Sequence, residues 1–171
     1  YPDDTMLVMN LASRLRYGGG YQTGALAQEE EIFRKTDYCL HPGEHMYPLE
    51  KDKFLCTPYV TVVKDENYNR LPVEKLFKVD MIAISAINKP TLVNSHLSNQ
   101  DYKYTKMLIS NTFEFGIQHG YKHLVLGALG CGVFKNPPTD IANIYNECIE
   151  KYKGWFETIS FAVLSKGTDQ N

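Results

Sequence analysis

Apolar residues fall in short blocks separated by stretches rich in glycine, proline and charge. Residues 5–10 (TMLVMN) form a short apolar run and predict a buried strand. Residues 54–63 contain the β-branched run YVTVV and predict a second, and residues 79–85 a third. Residues 123–126 and 158–164 (TISFAVL) predict two more strands. Between these blocks the period changes to that of helices. Residues 25–35 lack glycine and proline, with Thr23 as the expected N-cap and Ala25, Leu26, Ile32 and Phe33 as the apolar face. Asp101 is expected to cap a long helix running to about His119, which buries Tyr104, Met107, Leu108, Phe113 and Ile117 and stops at Gly120. After Pro137 and Pro138, Ile141, Ile144, Tyr145, Cys148, Ile149 and Tyr152 recur at i, i+3, i+4, i+7 and i+8, a clear amphipathic helix over residues 140–152. Strands alternating with helices imply an α/β fold. Residues 36–53 read as loop and the tail as polar.

Composition narrows the class. The 171 residues are 43% hydrophobic and 22% charged, which suits one globular domain over residues 1–171. A net charge of −2 argues against sequence-independent binding of duplex nucleic acid, which needs many phosphate contacts. No apolar run approaches the ~20 residues of a membrane span, so no membrane association is expected. Cys39, Cys56, Cys131 and Cys148 form no CxxC pair or zinc spacing. Reduced thiols and an intracellular location, cytoplasmic or nuclear, are therefore expected. His41 and His45 lack a second pair or carboxylate cluster to complete a metal site, and no metal or cofactor is expected.

The chemistry concentrates in GGGYQTGALAQEE, residues 18–30. Three consecutive glycines are costly to order and suit backbone that needs φ > 0 or a very close approach to another group. A glycine-rich turn entering a helix presents free N–H groups to phosphate. Glu29 and Glu30 follow at once, project about 100° apart on a helix, and so cannot share one role. A second glycine-rich stretch, HLVLGALGCGVFKNPP, leaves the strand at residues 123–126 and also precedes a helix. Two such loops can hold a diphosphate from both sides. The second is neither a Walker loop, since no Gly-Lys-Ser/Thr follows, nor a GxGxxG dinucleotide fingerprint. Asn10 and Ser13 end the first strand, where α/β sheets collect ligands, as do Ser85 and Asn88 after the third.

The GGG, seven-residue spacer and QEE resemble the signature of the bacterial-type poly(ADP-ribose) glycohydrolases, and residues 126–136 are similar to their second loop. The resemblance spans about residues 6–164 and is strongest in these two motifs. It implies a macrodomain-like three-layer α/β/α sandwich with a mixed sheet; the accessory region typical of bacterial members is not expected in this sequence. It also implies hydrolysis of the ribose–ribose O-glycosidic bonds of poly(ADP-ribose), with release of ADP-ribose. Glu30 would be the catalytic acid, and Glu29 would hold ribose hydroxyls. Gln28 would fix this pair and the substrate. Gly18, Gly19 and Gly20, with Gly130, Cys131, Gly132, Val133 and Phe134, would embrace the diphosphate and distal ribose. Expected partners are poly(ADP-ribose), ADP-ribose and ADP-ribosylated proteins, and a monomer is expected. Two alternatives share the motifs: a non-catalytic ADP-ribose-binding macrodomain and a hydrolase of mono(ADP-ribosyl) proteins. The chain departs from the family at Tyr17, where a proline usually precedes GGG, and in the basic Arg14 and Arg16. These bear on chain-end preference more than on catalysis.

Overall fold

A computed structural model describes residues 5–164; the polar tail lies outside the described residues. Strand β1 (Met6–Leu11) is the centre of the sheet. It is followed by helix α1 (Gln28–Lys35), strands β2 (Leu55–Val62) and β3 (Phe77–Ile84), and a small hairpin of β4 (Leu92–Val93) and β5 (His96–Leu97). Helix α2 (Asn99–Gln118), β6 (His123–Leu126), α3 (Pro138–Lys151) and β7 (Thr158–Phe161) complete the chain. The five-stranded sheet has the order β2-β3-β1-β6-β7. All neighbours are parallel except β2, which runs antiparallel to β3. The loops after β1, β3 and β6 therefore emerge at one edge of the sheet.

Alternation along β1 divides the core into two layers. Leu7 and Met9 join the larger cluster with Ile109 and Phe113 of α2 and Ile141, Ile144 and Tyr145 of α3. Met6 and Val8 pack on the opposite face against Phe33 of α1 and Tyr38. The mixed α/β arrangement is thus a sheet between α1 on one side and α2 with α3 on the other. Among the described residues, no helix is long and apolar enough to cross a membrane.

Several expected boundaries move, each for a local reason. Helix α1 begins at Gln28, and its N-cap is Ala27. Thr23 instead turns its hydroxyl onto the Gly20 carbonyl at 3.1 Å and closes a short 3-10 turn, Tyr21–Thr23. Leu26 consequently lies before the helix and is 82% exposed, whereas Phe33 is buried. In α2 the cap is Ser98, whose Oγ accepts the Asp101 N–H at 3.2 Å. Asp101 faces outward to accept the Thr91 N–H at 2.7 Å. The buried stripe of α2 is Thr105, Leu108, Ile109, Thr112, Phe113 and Gly116, so Met107 falls on its exposed margin. The β4–β5 hairpin, turned by Asn94 and Ser95 at positive φ, has strands too short for any periodicity to announce.

Ser98 serves both the helix and the segment before it, because its N–H also donates to Thr91 O at 2.8 Å. Ser98→Ala is expected to lower stability by about 1 kcal/mol, the usual worth of a serine N-cap, read as a shift in the urea midpoint at unchanged slope.

Candidate active site

Three consecutive side chains fasten the first turn of α1, two to the end of β1 and the third to the glycine loop. Gln28 places its amide against the strand: Oε1 accepts the Leu11 N–H at 2.8 Å, and Nε2 donates to Met9 O at 2.7 Å. Glu29 accepts the Ser13 N–H on Oε2 at 2.6 Å and the Asn10 amide on Oε1 at 3.3 Å. Glu30 turns the other way. Its Oε1 accepts the Gly20 N–H at 2.9 Å and its Oε2 accepts the Ala27 N–H at 3.2 Å. The latter bond is the carboxylate half of a capping box and explains a helix that starts without a polar N-cap residue. Adjacent carboxylates thus reach different structures, as their 100° offset requires.

Both carboxylates are buried, Glu29 at 3% exposure and Glu30 at 8%. Burial pushes the Glu29 carboxyl up from its ordinary 4.5 to about 7, against the pull of the Ser13 and Asn10 hydrogen bonds; the charge of Glu30 adds to the rise. A proton at neutrality therefore has a place on Glu29.

The glycines make this burial possible. A Cβ on Gly19 would lie 2.3 Å from Glu30 Oε1 and 3.1 Å from Glu29 Oε2, and its φ of +58° lies in the left-handed region. One oxygen of each carboxylate therefore converges beneath Gly19. A Cβ on Gly18 would strike the Phe33 ring at 2.5 Å. Tyr17, standing where a proline was expected, anchors the loop from below. Its ring meets Phe33 edge-on at 4.8 Å, and its hydroxyl donates to Tyr38 O at 2.9 Å. Arg34 fixes the far side, donating to Tyr21 O at 2.9 Å and to Ala25 O at 2.5 Å.

The second loop faces this assembly from the end of β6. Asn136, 2% exposed, donates to Ile87 O at 2.8 Å and to Gly130 O at 3.2 Å, tying the loop to the end of β3. Gly130 has φ +73°, and a Cβ there would meet Asn136 Nδ2 at 2.4 Å. Cys131 spends its N–H on Ala128 O. Among the described residues, the N–H groups of Gly132, Val133 and Phe134 find no protein acceptor. Val133 projects outward at 75% exposure, and Phe134 lines a cavity of about 470 Å³ together with Ser13, Arg14, Ser85 and Asn88.

The expected site residues thus gather at one sheet edge, with two corrections. Asn10 is fully buried behind Glu29 and so positions that carboxylate instead of meeting a ligand. Gln28 directs its amide to the β1 backbone, which makes it a fastener of the helix. Ser13 contributes its N–H to Glu29, while its hydroxyl accepts the Leu15 and Arg16 N–H groups in a turn. His41 bonds Asp37 at 3.3 Å. Asn136, Arg34 and Tyr17 escaped sequence reasoning. Only Arg34 carried a signal, since it stands one helical turn after Glu30 on the same face.

The family of the microbial-type PARG catalytic domain matches residues 2–65. No curated protein matches the chain. Among solved structures, the chain is similar to the poly(ADP-ribose) glycohydrolase of Deinococcus radiodurans in complex with ADP-ribose. The TM-score is 0.82 at 27% identity over 96% of this chain and 70% of that one. It is also similar to the poly(ADP-ribose) glycohydrolase of Thermomonospora curvata bound to the inhibitor ADP-HPD. There the TM-score is 0.80 at 25% identity, over 97% of this chain and 67% of that one. The catalytic-domain pattern thus covers the first part of the chain, and the fold of these bacterial enzymes covers nearly all of the chain.

Two outcomes test the geometry. Because the native state holds the Glu29 proton that an unfolded chain releases near pH 4.5, stability contributed by this group is greatest below that pH. It falls as pH rises through about 7, by on the order of 3 kcal/mol. Urea midpoints for the chain and for Glu29→Gln should diverge across this window, with only the natural chain losing stability to this group as pH rises. Gly19→Val should cost at least about 2 kcal/mol, since a branched side chain at this φ is strained and displaces Glu30; thermal denaturation measures it.

Proposed function

We propose that the chain is a poly(ADP-ribose) glycohydrolase, a glycosidase that hydrolyses the ribose–ribose O-glycosidic bond and releases ADP-ribose. The observation that carries this reading is the pair of buried carboxylates converging beneath Gly19 at the carboxyl end of β1. A module that only bound ADP-ribose would have no need to bury two adjacent acids, which is costly wherever they ionise.

In this reading the three free N–H groups of the second loop receive the diphosphate, and Phe134 packs against the ribose beyond it. The scissile bond then lies over Glu30. The proton held within the pair passes through Glu30 to the departing ribose oxygen as the bond to the anomeric carbon breaks. The pair of bonding electrons leaves with that oxygen, and positive charge spreads over the anomeric carbon and ring oxygen. Glu30, now ionised, takes a proton from the water that attacks this carbon. The product carries a new anomeric hydroxyl, and Glu30 regains its proton. One carboxylate serves in turn as acid and base, unlike the two-carboxylate scheme of most glycosidases. Glu29 holds the ribose hydroxyls. Its high pKa keeps a proton within the pair near neutrality, which limits repulsion between the two acids. Asn10 and Ser13 hold Glu29 in place from behind. ADP-ribosylated proteins are the natural carriers of such a substrate.

The test is release of ADP-ribose from poly(ADP-ribose) by the chain and by Glu30→Gln, with ADP-ribose binding measured by calorimetry for both. Loss of general acid catalysis should slow release roughly 10²–10⁴-fold while binding persists. Binding by both with release by neither would make the chain a reader of ADP-ribose.

A further inference from the structure

Val8, Asn10 and Ala12 alternate onto the α1 face of the sheet. Val8 packs in the cluster that buries Tyr38, and Ala12 in the cluster that Tyr47 joins. Asn10 thus lies between the two tyrosines. Among the described residues, three buried oxygens here have no protein partner: Asn10 Oδ1, the Tyr38 hydroxyl and the Tyr47 hydroxyl. Asn10 and Tyr38 are wholly enclosed, both at 0% exposure. Tyr47 lines a cavity of about 900 Å³, yet its hydroxyl is shielded from it. The three atoms share one neighbourhood. The Tyr38 hydroxyl has the Asn10 side chain beside it and feels the charge of Glu29. The Tyr47 hydroxyl feels Glu29 and Tyr38 in turn. The Tyr17 ring joins the two, with its centroid 5.5 Å from each.

We propose that Asn10, Tyr38 and Tyr47 form an internal water-binding site, which makes the two tyrosines positioning residues for Glu29. Buried polar atoms are costly without a partner, and native proteins pair nearly all of them with protein or ordered water. Two hydroxyl hydrogens and one amide oxygen are the complement of a single water. The water accepts from both hydroxyls, which uses its two lone pairs, and donates to Asn10 Oδ1. That oxygen is then held toward the water, and Nδ2 is held toward Glu29 Oε1 in the bond of 3.3 Å. A flipped amide would set its oxygen against the carboxylate instead. The tyrosine hydroxyls thus act on Glu29 through Asn10 and need not touch substrate. Because the Asn10 bond favours the ionised form of Glu29 against burial, loosening it raises the Glu29 pKa. The titratable groups that face this cluster are Glu30 from α1, Tyr17, Tyr38, Cys39, Tyr47 and Cys56 of β2. Burial pushes the three tyrosine hydroxyls and the Cys56 thiol above their ordinary values, so these stay protonated near neutrality. The consequence for the reaction rests on the glycohydrolase reading above; the water site does not.

Tyr38→Phe and Tyr47→Phe each remove one hydroxyl and keep the ring. The experiment measures the urea midpoint of each variant and follows the Glu29 carboxyl carbon by NMR as pH is varied. Both variants should unfold at lower urea than the natural chain. In both, the Glu29 titration should move up by about one pH unit, the order of one hydrogen bond to a charged group. A hydroxyl that is simply unpaired predicts the opposite, because its removal relieves a buried polar group. A midpoint that rises or holds, with the titration unmoved, would therefore overturn the site. A lower midpoint with the titration unmoved would make the hydroxyls structural and overturn their positioning role. A shift in Tyr38→Phe alone would indicate a direct bond from Tyr38 to Asn10 and overturn the shared water. In release of ADP-ribose, the alkaline limb of kcat should move up in both variants as the titration does. The titration needs no substrate, so a natural chain that releases no ADP-ribose would bring down the glycohydrolase reading while the water site is still decided by the titration.

Discussion

The site depends on the stitching of the first turn of α1 to the end of β1. A parallel strand that ends at a sheet edge leaves backbone groups without ladder partners, and buried backbone groups left unpaired are costly. Here Gln28 bonds the carbonyl of Met9 and the N–H of Leu11, and Glu29 takes the N–H of Ser13 just beyond the strand. The same turn gains its own cap from Glu30 through Ala27. The helix start, the strand end and the glycine loop thus stabilise one another through side chains at three successive positions. Moving any one of them displaces a carboxylate.

These bonds also set the electrostatics. Two acids side by side in a nearly dry site repel each other, and desolvation disfavours the charge of Glu29. The bonds from Ser13 and Asn10 favour the ionised form of Glu29, yet burial outweighs them and leaves its pKa near 7. The consequence is a group that exchanges its proton close to physiological pH, beside a second acid held by two main-chain N–H groups. A surface Gln-Glu-Glu run would have neither property. The loss of folding stability expected as Glu29 ionises is the counterpart of that chemistry, since the same desolvation that keeps a proton available opposes folding at higher pH.

What the chain reveals before folding follows the range of the forces involved. β1, β3 and β6 are legible because strands buried on both faces read as mostly apolar runs, and α3 because its stripe repeats over three turns. The start of α1 is not legible from local propensity. Thr23 is a good capping residue, but it is engaged by Gly20, and the cap comes from within the helix through Glu30. Asn10 reads as a strand-end ligand because its burial depends on α1, which lies far along the sequence. The same distance hides Tyr17: its ring matters through Phe33, Tyr38 and Tyr47, three residues that only the folded chain brings to it. The two loops are legible because glycine patterns report local backbone needs. Asn136, which ties the second loop to β3, looks like an ordinary residue before a proline.

The triple glycine carries a further lesson about cause. Read from sequence, it suggests backbone thinned so that a ligand can come close from outside. In the structure the close approach is already occupied from inside: Gly18 sits against Phe33, and Gly19 sits against the oxygens of Glu29 and Glu30. The loop has no room for side chains because the protein's own acids and aromatic floor fill the space where they would be. The two uses are compatible, since backbone bare of side chains on its inner face is also low on its outer face. This explains why the acids are nearly inaccessible. It also orders the effects of substitution: a side chain at Gly19 disturbs Glu30 before it meets any ligand, so stability and chemistry fail together there.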